Sequence, residues 1–198
     1  MQFVILASTY KITMGRIAKV LTVVFVSIII DQGTKVWAKS VFEGKSKSCY
    51  LDEMFCWIYA ENEGAFLGWG SELEGIWNIL LLKLLPILLI LGLFYMTLFS
   101  KDLLKNQVVP FSMILGGGLS NLFDRIAFGK VVDFMNVGIG ELRTGIFNVA
   151  DMVILAGIIW YFFSNFGKRE QAMQEATPDI STEGVDANPN PNSNPPLQ

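Results

Sequence analysis

The chain has 198 residues, 52% of them hydrophobic and 17% charged, with a formal net charge of -3 and a mean hydropathy of +0.45. That balance excludes an ordinary soluble globular domain and a nucleic-acid footprint, and it points to an integral membrane protein. The chain has no histidine, which excludes Ser-His-Asp and Cys-His catalysis and histidine metal sites and leaves carboxylates as the leading chemical groups.

A bilayer core takes about 20 apolar residues per helix, and four windows reach that length, at 20–41, 79–99, 108–128 and 146–166. The expected fold is therefore membrane all-α, with four transmembrane helices and a small β-rich cradle at about 42–78 between spans 1 and 2. Residues 1–16 form an N-terminal segment, 17–166 the four-span domain and 167–198 a disordered tail. Lys11, Arg16 and Lys19 precede the first apolar run, which continues through Asp31-Gln32-Gly33-Thr34-Lys35 without a small-residue cleavage site. It reads as a retained span and not as a cleaved leader. Met14-Gly15-Arg16 would itself make a plausible start. Asp31 and Lys35 stand at i, i+4, the spacing of a structural ion pair.

The 42–78 segment mixes a strand-like run, Phe55-Cys56-Trp57-Ile58-Tyr59, with glycine-rich stretches, and its aromatic residues suit the membrane interface. Cys49 and Cys56 both lie there; an oxidising side would join them, and two free thiols are the equal alternative. In the second span Pro86 predicts a kink, and Lys83 reads as a side chain that snorkels to the headgroups.

The third span carries Gly116-Gly117-Gly118, which permits close helix approach. It ends in Asn121, Asp124 and Arg125, whose i, i+3, i+4 spacing predicts one shared face. That face is either the lining of an active site or, the stronger reading, an interhelical brace made by an Asp124–Arg125 pair, with the arginine also reaching phosphate. Asp133 follows within Val131-Val132-Asp133-Phe134. Asn148 and Asp151 open the fourth span on one face. An aspartate there can be a simple helix cap. With Asp133 at the same end of the membrane it becomes more, because two adjacent carboxylates share one proton. The ionised member then takes a proton from water while the other polarises a carbonyl or protonates a departing nitrogen, as in an aspartic protease. No cofactor and no metal is required.

Five blocks in order, Asp31-Gln32-Gly33-Thr34-Lys35, Asn62-Glu63-Gly64-Ala65, Asn121-Leu122-Phe123-Asp124-Arg125, Val131-Val132-Asp133-Phe134 and Phe147-Asn148-Val149-Ala150-Asp151, resemble the lipoprotein signal peptidases, or type II signal peptidases, over residues 17–166. The resemblance implies an intramembrane aspartic endopeptidase of the bacterial inner membrane. It would cut prolipoproteins before a diacylglyceryl-modified cysteine, with Asp133 and Asp151 as the catalytic dyad. It further implies that Asp31, Asn62, Gly64, Asn121, Arg125 and Asn148 support the site or contact substrate; from the spacing alone, Lys35 supports the site beside Asp31 and Asp124 has a structural role. The active site would face the outer leaflet, with an extracytoplasmic cradle and both termini cytoplasmic; on lysine and arginine count alone the two sides draw. Expected partners are the lipidated substrate, membrane lipid and globomycin-type inhibitors, with no nucleic acid, and the protein is expected to act as a monomer. Two positions depart from the usual pattern: Phe66-Leu67-Gly68 after the second block, which would reshape the cradle, and Ser120 where glycine is common. Neither is expected to touch the dyad.

Two other readings compete. A small proton-coupled transporter would use Asp133, Asp151 and Asp124 as relays, although no internal repeat is evident. A serine-lysine peptidase would pair Ser120 or Ser112 with Lys35 or Lys83.

Overall fold

The computed structural model describes residues 14–64, 75–101 and 103–176, with residues 165–176 as backbone alone. The expectations placed on residues 1–13, on Phe66-Leu67-Gly68 and on the tail beyond 176 lie outside the described residues. The chain divides into residues 1–164 and residues 165–198, and the packing and the site described below lie in the first unit.

Helix α1 (Met14–Phe42) buries Val20, Ser27, Asp31, Lys35 and Ala38, one stripe at helical spacing. The ends of the stripe are apolar. Val20 packs with Leu98 and Val108, and Ala38 with Phe134 and Met135. Between these clusters the stripe is polar, and that polar layer is where the chemistry gathers. Elsewhere the helices present large apolar side chains outward: Phe25 is 65% exposed, Leu89 64% and Phe163 72%, a surface suited to lipid and foreign to a water-soluble protein.

The second helical segment begins as α2 (Ile76–Asn78), passes through a π-helical stretch (Ile79–Leu84) and continues as α3 (Leu85–Phe99). The π-helical stretch ends just before Pro86, which stands in the first turn of α3, where a missing N–H costs least. By length and composition Ile76–Phe99, with a mean hydropathy of 2.5, is the one described helix able to cross a bilayer unaided, and Val149–Ser164 is a shorter apolar helix.

Helix α4 (Val108–Ala127) is the hub. A Cβ at Gly116 would meet the Ser27 Cβ of α1 at 2.6 Å, and one at Gly117 would meet the Ala150 carbonyl oxygen of α5 (Val149–Ala176) at the same distance. Consecutive residues point about 100° apart, so adjacent glycines admit two different helices against α4. Helix α5 runs past the expected boundary at 166, through Lys168-Arg169-Glu170-Gln171-Ala172, residues that favour helix.

The sheet is larger than the 42–78 segment predicted. Strands β1 (Ser48–Tyr50) and β2 (Phe55–Asn62) lie there, and β3 (Val131–Ile139) and β4 (Leu142–Arg143) complete an antiparallel order β1-β2-β3-β4. Val131-Val132-Asp133 is therefore strand and not a tail of the third helix. Cys49 and Cys56, directly opposite across β1 and β2, form a disulfide. Trp57 stacks on Phe42 and on Phe134, fastening the sheet to α1.

Candidate active site

A single irregularity in the sheet puts two site residues on one face. The β2–β3 register shifts between Trp57 and Ala60, so that Ala60 opposes Asp133 and Asn62 opposes Val131. Val131 and Asp133 are two apart on β3 and share a face, which places Asn62 diagonally beside Asp133. Had the Trp57–Met135 register continued unshifted, Asn62 would stand on the opposite face. In the observed register Asn62 Nδ2 donates to Asp133 Oδ2 at 2.9 Å, while its Oδ1 accepts the Gly64 N–H at 2.9 Å.

Asp151 arrives from the other direction, at the third position of α5. The Asp151 N–H donates to Asn148 Oδ1 at 3.1 Å, and the Asn148 N–H donates to Asp151 Oδ2 at 3.1 Å, a reciprocal capping box. Capping and site membership, alternatives in the sequence, thus coincide. Asn148, wholly buried, also donates through Nδ2 to Asp133 Oδ1 at 2.6 Å and to Asn121 Oδ1 at 3.2 Å. Asn121 Nδ2 donates to Asp151 Oδ1 at 2.9 Å. Each of the four carboxylate oxygens of Asp133 and Asp151 receives an N–H from an amide.

The orientation of these amides is fixed from behind. Lys35 Nζ has three N–H bonds, and they reach Asp31 Oδ2 at 2.6 Å, Asp124 Oδ2 at 2.6 Å and Asn121 Oδ1 at 2.8 Å. Asn121 must present its oxygen to the ammonium and hence its NH2 to Asp151. Asp31 Oδ1 accepts the Ala150 N–H at 2.7 Å, satisfying a second donor at the start of α5.

One expectation fails. Asp124 does not brace Arg125: it binds Lys35 and accepts Gln32 Nε2 at 2.9 Å. Arg125 donates through Nη2 to the Gly64 carbonyl at 2.8 Å and through Nη1 to the Asn121 carbonyl at 3.3 Å. Adjacent helical positions diverge by about 100°, so Asp124 turns toward α1 while Arg125 turns toward the loop after β2. The serine-lysine arrangement is also not formed. Lys35 is spent on its three acceptors, and Ser112 Oγ donates to the Val108 carbonyl of its own helix at 2.6 Å. Lys83 lies in the π-helical stretch of the second helical segment.

Asp133 and Asp151 both line a cavity of about 380 Å³ whose far wall is Leu81, Leu82, Pro86 and Leu89. A second, apolar cavity of about 530 Å³ reaches Asp151 from the side of Phe147, Met152 and Leu155. Burial pushes the Asp133 carboxyl up to about 6, the Asn62 hydrogen bond opposing and the Asp151 charge reinforcing the shift. Among the described residues no cluster of three or more cysteine or carboxylate side chains is placed to hold a metal ion.

Sequence reasoning gave no role to Gln32 or to the cavity wall from the second helical segment, and it weighed Ser120 only as a departure from the family pattern and as a nucleophile in the serine-lysine alternative. Polar residues on apolar helices mark inward faces, but which neighbour they meet depends on helix packing.

The family model for signal peptidase (SPase) II matches residues 23–166. A lipoprotein signal peptidase of Wigglesworthia glossinidia brevipalpis is 34% identical over 131 residues, covering 66% of this chain and 83% of that protein. One of Helicobacter pylori (strain P12) is 36% identical over 137 residues, covering 69% and 79%. In fold the chain is similar to a solved bacterial membrane enzyme, with a TM-score of 0.63 at 20% identity over 76% of this chain and 94% of that one.

Proposed function

The chain belongs to the signal peptidase II family and is a bacterial integral membrane protease that removes the signal peptide from lipoproteins, and we propose that it does so with Asp133 and Asp151 as an aspartic dyad. The observation that carries the reading is that these two carboxylates face one cavity, are bridged by Asn148 and receive hydrogen bonds from neutral amides. A pair of adjacent carboxylates that no cation hydrogen-bonds directly holds one proton more readily than two isolated aspartates do.

In the proposed cycle a water enters between the two carboxylates. The ionised member takes a proton from it as the oxygen attacks the scissile carbonyl, and the protonated member donates to the carbonyl oxygen. Collapse of the tetrahedral species breaks the C–N bond, and the departing nitrogen takes up the proton held by the dyad. Asn121 and Asn148 keep the carboxylates in place, and Arg125 holds the Asn62-Glu63-Gly64 turn against the site through the Gly64 carbonyl. This chemistry needs no cofactor.

The substrate reading is a peptide cut before its diacylglyceryl-modified cysteine. Asp151 lines both the cavity that carries the polar groups of the site and a second, apolar one, an arrangement suited to a scissile bond that has a lipid on one side. Four spans, with α1, Ile76–Phe99, α4 and α5 crossing the bilayer, fit the outward apolar side chains. The Cys49–Cys56 disulfide belongs to an oxidising compartment, which supports a sheet and a dyad on the outer face and both termini in the cytoplasm. Globomycin-type inhibitors would enter the same cavity, and Asp133, Asp151 and the amides bound to them all come from one copy of the chain, in keeping with a monomer.

The test is cleavage of a diacylglyceryl-modified prolipoprotein by the purified protein, beside an unlipidated substrate. Cleavage of the lipidated form alone is the expected result. Proton flux in proteoliposomes with no cleavage would favour the transporter instead.

A further inference from the structure

Ser120 lies on α4 one residue before Asn121, fully buried, and its hydroxyl is held from both sides. Gln32 Nε2 donates to Ser120 Oγ at 2.9 Å and to Asp124 Oδ1 at 2.9 Å. Ser120 Oγ donates to Asp31 Oδ2 at 2.7 Å. The direction of each bond is dictated. Asp124, paired with Lys35, is an acceptor, so Gln32 must turn its NH2 inward. Ser120 must then accept from Gln32, and its single proton goes to Asp31.

That proton matters because of what Asp31 does with its other oxygen. Asp31 Oδ1 accepts the Ala150 N–H at 2.7 Å, and Ala150 is the residue before Asp151 in the first turn of α5. Asp31 Oδ2 is shared between the Ser120 hydroxyl and the Lys35 ammonium at 2.6 Å. An ammonium on a flexible stem fixes a distance but not the rotation of a carboxylate. A second donor, arriving from a different helix, fixes the plane.

We infer that Ser120, with its proton directed by Gln32, is a positioning residue of the peptidase reaction. It locks the rotation of Asp31, which holds the first turn of α5 and so the placement of Asp151 beside Asp133. The inference rests on the dyad reading above. It gives a purpose to a buried hydroxyl that the dyad reading by itself leaves unused. Ser120 does not touch substrate, so its loss acts on turnover and leaves substrate binding alone.

The experiment compares wild type, Ser120→Ala, Gln32→Leu and the double variant, with kcat and KM for the lipidated prolipoprotein and a thermal unfolding midpoint for each. Ser120→Ala deletes one oxygen and adds no bulk. Its kcat is expected to fall about tenfold, the worth of a hydrogen bond to a charged group, with KM within about twofold and an unfolding midpoint close to that of wild type. In the Gln32→Leu background the hydroxyl proton is no longer directed, so the same serine change costs less than it does in wild type. Wild-type kcat in Ser120→Ala, or strictly additive losses in the double variant, would overturn the positioning role. Absence of cleavage by folded wild type would instead overturn the peptidase reading and this inference with it.

Discussion

Two pairs of aspartates lie on either side of Asn121, all of them buried except the half-buried Asp151, and they are treated in opposite ways. Asp31 and Asp124 share the Lys35 ammonium, each at 2.6 Å. Asp133 and Asp151 receive N–H bonds from Asn62, Asn121 and Asn148. The side chains are chemically identical, and the difference lies in the donor. A full positive charge fixes a carboxylate as an anion and makes it part of the scaffold. Neutral amides fix its position while leaving its proton negotiable, and a proton that can be gained and lost is what hydrolysis needs.

The sharpest way to break this contrast is to neutralise one member of each pair. Asp133→Asn or Asp151→Asn is expected to lower cleavage by about a thousandfold or more while the protein still folds and inserts; substantial activity in either purified variant would remove the dyad. The scaffold pair should respond in stability. Lys35→Met leaves Asp31 and Asp124 buried without their counter-ion and is expected to cost about 3–5 kcal/mol, read as a lower unfolding midpoint in detergent. An unchanged midpoint would show that the two pairs are not distinguished by charge compensation.

A smaller effect is expected at the bridge. Asn148→Ala removes the donor to Asp133 and the cap of α5, and kcat should fall about 10- to 100-fold, less than for either aspartate. Loss equal to that of the dyad variants would give Asn148 a direct part in the chemistry. The smallest effect concerns pH. With the Asp133 carboxyl pushed up to about 6 by burial, kcat/KM of the free enzyme should decline as pH rises through about 6 and the pair loses its shared proton. The Asn62 hydrogen bond favours the ionised form. Asn62→Ala therefore raises the Asp133 value, and the declining limb moves to higher pH; a limb that stays or moves to lower pH would contradict the assignment.

Much of this was legible in the chain. Hydropathy located the helices that became α1, Ile76–Phe99, α4 and α5, because long apolar runs show in the chain whatever they pack against, and among the described residues Ile76–Phe99 is the one long and apolar enough to cross a bilayer. The absence of histidine and two aspartates at helix-proximal positions pointed to Asp133 and Asp151, which the fold brings to one cavity, since an acid in such a setting needs a reason. The i, i+4 spacing gave the Asp31–Lys35 pair, because both residues sit on one rigid helix. Tertiary structure alone decided the rest. Asp124 met Lys35 instead of its neighbour Arg125, and Ser120 met Asp31, because the glycines of α4 let α1 and α5 close upon it. Asn62 reached Asp133 because one extra residue in β2 turned it to the right face of a sheet whose other half comes from 131–143. Local spacing fixes what shares a face within one element; which faces meet is set by the packing and register between elements.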